Sequence, residues 1–207
     1  MSYSDFIINR LLQSESDWEN PFCTWCNPLY VVIIPKVIAL LSILSSTYII
    51  KTILYDTPKN KRNAYHRIMI HMSILDILFS GLIHFIGSWA MPTGTAPLSS
   101  GNLKTCDAQG YLSLALSIAC PMCNASLSTY YNLIIKYGWH DNKINKIEKW
   151  LHIIPSTVGF VIAIVPLVAK LYVPGMWGCW FGNTQYPLGC DSDETCVRGW
   201  NSQYYFW

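Results

Sequence analysis

The stretch NAYHRIMIHMSILDILFS, residues 63–80, decides the fold. It opens on a basic, polar edge formed by Lys61, Arg62, His66 and Arg67 and passes into an apolar run over residues 68–91. One carboxylate, Asp76, stands inside that run. An ionised group at such a depth in a membrane span costs about 2.5–3.5 kcal/mol on insertion scales. Asp76 is therefore a candidate for function, and a hydrogen-bonded structural carboxylate is the competing reading. The stretch reads as the second of several membrane helices.

The rest of the chain agrees with a membrane bundle. Of 207 residues, 52% are hydrophobic and 13% are charged, roughly half the usual share of about 25%. Crossing about 30 Å of hydrocarbon takes roughly 20 apolar residues. Four runs meet that length: residues 29–54, 68–91, 111–137 and 150–173. The expected fold is all-α, a polytopic bundle of four transmembrane helices embedded in a lipid bilayer.

Loop charges predict the orientation. Lys59, Lys61, Arg62 and Arg67 lie in or beside the first loop (55–67), and Lys136, Lys143, Lys146 and Lys149 in or beside the third (138–149). The tail 1–28 has only Arg10, the second loop (92–110) only Lys104, and the segment 174–207 only Arg198. Positive residues favour the cytoplasmic side. That puts loops one and three in the cytoplasm, and the N-terminus, loop two and segment 174–207 outside. Trp89, Trp139, Trp150 and Trp177 fall at span ends, where aromatic belts form.

Six of the eight cysteines sit on the side read as external: Cys23, Cys26, Cys106, Cys179, Cys190 and Cys196. An even number in an oxidising compartment reads as disulfides. A bridge between Cys106 and Cys179 would tie the last loop over the bundle, and Cys190 with Cys196 would close a small loop around DSDET. The pairing of Cys23 and Cys26 stays open. Cys120 and Cys123 lie inside the third span and read as packing residues.

Candidate partners for Asp76 are Asn124, Ser126 and Ser128 of the third span and Ser42, Ser45 and Ser46 of the first. One reading of the group is a cation or proton site that gates a conformational change. His71 and Asp76, five residues apart, do not share a helix face well. His66, His71, His84, His140 and His152 form no metal-binding box of the kind a membrane metalloenzyme uses. No nucleophile elbow or phosphate-binding glycine loop occurs. Nothing here points to an enzyme, a cofactor, a metal or nucleic acid. Ser113, Ser117, Gly159 and Ala163 have the spacing of close helix packing. The sequon at Asn124 falls within a span.

Laid out this way, the chain resembles the first four helices of a G-protein-coupled receptor. The external tail, the short basic first loop and the placing of Arg67, Ser73 and Asp76 carry the likeness. Trp89–Pro92 adds to it less specifically. Cys106 stands where the third helix begins, and the Cys179-Trp180 pair is similar to the second external loop of cyclic-AMP-type and secretin-type receptors. NASLSTYY and IKYGW resemble receptor-like proteins of protists, diatoms among them. The resemblance implies a Cys106–Cys179 disulfide, and a polar core that binds sodium at Asp76 with Asn124 and Ser128. It also implies a cytoplasmic face of Arg67, Tyr130, Tyr131 and Lys136 that meets a heterotrimeric G protein. An unknown extracellular ligand and the plasma membrane complete what it implies. Where the rhodopsin-like class has Asp-Arg-Tyr, this chain has Tyr130-Tyr131-Asn132, so that ionic lock is missing. Helices five to seven of such a receptor would follow Trp207, and the chain therefore reads as a fragment. The alternative is a four-span structural or scaffolding membrane protein without catalytic activity.

Overall fold

The computed structural model describes residues 28–56, 58, 63–96, 98–175 and 177–181. Within them the chain is mostly helical. Helix α1 spans Pro28–Asp56, α2 Ala64–Phe79, α3 Leu103–Ile135 and α4 Asp141–Val168. Two short antiparallel strands follow, β1 (Tyr172–Pro174) and β2 (Cys179–Phe181). All four helices, with α2 taken on to Phe85, are long and apolar enough to cross a membrane. These are the candidate spans of a multi-pass membrane protein.

Helix α3 is the centre of the bundle. In its most apolar window 39% of residues are buried against neighbours, compared with 11% for α1. It packs most extensively on α4 and also on α2. Exposed apolar side chains run along the outside of α1 (Ile34, Ile38, Leu41, Leu44) and α4 (Val161, Ile164, Val165, Val168). In water such a surface would be an aggregation hazard, whereas hydrocarbon solvates it without cost.

The helix ends have local causes. Asn102 caps α3: its side chain accepts from the amides of Lys104 (2.9 Å) and Thr105 (3.0 Å), while Thr105 Oγ1 accepts from the Asn102 amide at 2.8 Å. This reciprocal capping box starts the helix ahead of the apolar run, through polar turns that include Lys104, Asp107 and Gln109. Gly138, at φ +60°, turns the chain after α3. Pro155 lies within α4, and beside it the hydroxyls of Ser156 and Thr157 bond the carbonyls of His152 and Ile153, one turn back.

Helix α2 ends irregularly. After Phe79 it widens into a π-helical stretch, Ser80–Phe85, then tightens into a 3-10 turn, Gly87–Ala90. Gly87 adopts φ +40°, and a Cβ there would lie 2.8 Å from the Trp177 carbonyl oxygen. Only glycine fits both the conformation and the space. The wide turn leaves carbonyls without intrahelical donors, and neighbouring side chains supply them.

Candidate functional site

The disulfide end of the bundle is tied from three directions. Cys106, in the first turn of α3, is bonded to Cys179 of β2, with Cα atoms 5.3 Å apart. Both are buried with Met91. The β1–β2 hairpin pairs Tyr172 with Phe181, Val173 with Trp180 and Pro174 with Cys179. Tyr172 is fully buried, donates its hydroxyl to the Ala163 carbonyl at 2.9 Å and packs its ring on Gly110. Gln109 joins the parts: Nε2 donates to the Gly87 carbonyl at 2.9 Å, and Oε1 accepts the Cys179 amide at 2.9 Å. One buried amide side chain thus links the irregular end of α2, the start of α3 and the hairpin. From α1, Lys36 donates to the Phe85 carbonyl at 2.6 Å and lies 4.3 Å over the Trp89 ring. It supplies the charged donor that the open carbonyls of the π stretch lack.

The middle of the bundle holds Asp76. It is half-buried on α2, beside a core of Leu75, Ile83, Leu116, Ala119 and Cys123. The free thiols of Cys120 and Cys123 lie within its electrostatic reach. Among the described residues it makes no hydrogen bond or ion pair. Asn124 and Ser128 are exposed on α3, and Ser128 bonds the Asn124 carbonyl of its own helix at 3.0 Å. The expected cluster of Asp76, Asn124 and Ser128 is therefore not joined by hydrogen bonds. Ser42 of α1 instead accepts from Ser80 at 3.0 Å.

At the opposite end, near the two basic loops, polar residues are joined between helices. The guanidinium of Arg67 on α2 grips both oxygens of Glu148 on α4, with Nη2 to Oε2 at 2.6 Å, and reaches Asn145 Oδ1 at 3.0 Å. One turn deeper, Nδ1 of His71 and Nδ1 of His152 are 3.1 Å apart. His152 Nε2 faces Glu148 Oε1 at 3.6 Å, and Ser156 Oγ lies 3.3 Å from His71 Nε2. Arg67–Glu148 and His71–His152 share a sequence offset of 81. An equal offset one turn apart on both helices means that α2 and α4 run parallel here.

The residues expected to face a cytoplasmic partner gather at this same end, in differing surroundings. Arg67 is committed to α4. Tyr130 is buried with Ala64, Ile68 and Ile144. Tyr131 is exposed, its ring 5.9 Å from that of Tyr65. Lys136 follows the last residue of α3, with its ammonium 5.6 Å from the Tyr137 ring. Cys190 and Cys196, together with Cys23, Cys26, Lys59, Lys61 and Arg62, lie outside the described residues. Lys36, Gln109, Glu148 and the His71–His152 pair were not singled out from sequence as site residues. Their signal is a polar group within or beside an apolar run, which Asp76 displays in the same way.

Comparison with protein-family models and with curated proteins finds no match. Fold and site together define a class only: a four-helix, membrane-type bundle with a hairpin tethered by a disulfide.

Proposed function

We propose that this chain is the first four helices of a receptor-like signal transducer in the plasma membrane. Its hairpin end faces outside and its basic loops face a heterotrimeric G protein. One observation carries the proposal. The Cys106–Cys179 bridge and Gln109 fasten the β1–β2 hairpin to both α2 and α3. A ligand that displaced the hairpin would therefore act directly on two spans, one of them the central helix. The resemblance in sequence supports the same direction of signalling.

A second reading, a four-span structural membrane protein, is favoured by the basic-loop end. There Arg67 and Tyr130 are taken up by contacts within the bundle.

Topology separates the two. Epitope tags would be placed at the N-terminus and after residue 207, and probed on intact and permeabilised cells. The receptor reading expects both tags to be reached on intact cells. Tags reached only after permeabilisation would overturn it and favour the structural reading.

A further inference from the structure

We infer that His71 and His152 form a proton-binding pair that latches α2 to α4 and opens when a second proton enters. The inference rests on geometry near the basic-loop end and is independent of the receptor reading.

Glu148 sets the starting state. A carboxylate only accepts hydrogen bonds, so the proton is assigned to His152 Nε2, the ring nitrogen that faces Glu148 Oε1 at 3.6 Å. His152 Nδ1 is then an acceptor, and the His71 nitrogen 3.1 Å away must donate to it. This leaves His71 Nε2 as an acceptor, 3.3 Å from the Ser156 hydroxyl. With this assignment the donors run from His71 to His152 to Glu148, and the single Ser156 hydroxyl proton turns from the His152 carbonyl, 3.1 Å away, to His71 Nε2. Arg67 holds the carboxylate at the end of the chain.

The other groups facing the pair complete the inventory. From α3, Cys123 Sγ lies 3.8 Å from His71 Nδ1, and Asp76 of α2 reaches that thiol electrostatically. From α1, no titratable side chain contacts either ring among the described residues. The path to water runs by Glu148 and His152, whose side chains are 13% and 25% exposed.

A first added proton fits without breaking the contact. It enters at His71 Nε2, which then donates to Ser156, and Ser156 turns its hydroxyl to the His152 carbonyl at 3.1 Å. The Nδ1–H···Nδ1 bond between the rings persists. A second proton has no such place. It must sit on the facing His152 Nδ1, putting two N–H groups head to head between two like charges. The ring contact cannot survive that state, which leaves His71–Ser156 and Arg67–Glu148 to hold α2 to α4. The two imidazoles therefore titrate as a unit.

The test is 15N NMR of the full chain in lipid nanodiscs, labelled at histidine and titrated from about pH 8 downward through the histidine range. Two coupled steps are expected. The coupling across the Nδ1···Nδ1 bond should persist through the first and vanish in the second. His152→Gln should reduce the His71 titration to one step. Glu148→Gln should release the tautomer preference of His152 while Arg67 stays exposed to solvent. Independent titrations in the wild-type protein would overturn the inference, as would rings that hold one protonation state throughout. The wild-type titration decides this by itself, whether or not either variant folds.

Discussion

Replacing Gly159 by alanine tests how closely α3 and α4 approach. A Cβ at Gly159 would collide with the Ala115 carbonyl oxygen and lie 3.2 Å from its carbon and 3.3 Å from the Ala119 nitrogen. These are backbone atoms of the central helix and cannot turn aside as a side chain would. Alanine would otherwise gain about 1 kcal/mol over glycine within a helix. Overpacking costs about 1–3 kcal/mol, and the upper part of that range applies where backbone must move. The expected net loss is about 1–2 kcal/mol, around tenfold in the folded-to-unfolded ratio. Gly81→Ala is the control, because the nearest atom to its Cβ is Ile43 Cδ1 at 3.9 Å. That variant should be neutral or up to about 1 kcal/mol more stable. The assay is equilibrium unfolding in mixed micelles, with all three proteins under the same conditions. If Gly159→Ala is as stable as the wild type, the α3–α4 contact is looser than the geometry states.

Three further outcomes are expected. Gln109→Ala leaves the buried Cys179 amide and the Gly87 carbonyl without their partner, at about 1–3 kcal/mol per group; hydrogen exchange at Cys179 should accelerate, and unchanged protection would contradict the hub role. Non-reducing mass mapping should recover a Cys106–Cys179 peptide pair, and the double serine variant should lose about 2–5 kcal/mol, as expected for a bridge spanning 73 residues; Cys106 found with Cys190 or Cys196 would refute the pairing. Asp76→Asn should make the second span insert into the bilayer more readily in an insertion assay, because it removes part of a cost of about 2.5–3.5 kcal/mol; insertion that is no better than wild type would refute the reading of Asp76 as an uncompensated charge.

The helices were legible because each contains an apolar run of membrane length, and such runs have few soluble alternatives. Their ends were less so. The apolar run of α3 begins at residue 111, yet the helix begins at Leu103, because the Asn102–Thr105 capping box acts whatever the hydropathy of the following turn. Helix α4 likewise begins at Asp141, and its charged first turns are anchored by fully buried Ile144. The expected Cys106–Cys179 bridge is present. The polar contacts between helices were not readable. Arg67 and Glu148 are far apart in sequence, and only the register of α2 against α4 brings them together. A metal-binding histidine box is a spacing within one helix, whereas His71 and His152 come from two helices, 81 residues apart in sequence.

Helix α2 is the element on which these features converge. At one end its carbonyls are held by Lys36 of α1 and Gln109 of α3, through a widened turn that cannot satisfy itself. At the other, Arg67 and His71 bind it to α4. Between the two, its contacts with α3 are apolar, a single hydroxyl bond joins Ser80 to Ser42 of α1, and Asp76 adds no directional bond among the described residues. Apolar contacts resist separation but tolerate sliding and rotation better than directional hydrogen bonds do. A change at one polar end is therefore resisted mainly by the other, and α2 is the rigid body between them. A shift of the hairpin would load the Arg67–Glu148 and His71–His152 contacts, and opening the histidine pair would relax the hold on the hairpin end. If this coupling exists, reducing Cys106–Cys179 should alter the second step of the histidine titration. A titration identical in the oxidised and reduced protein would show that the two ends are independent.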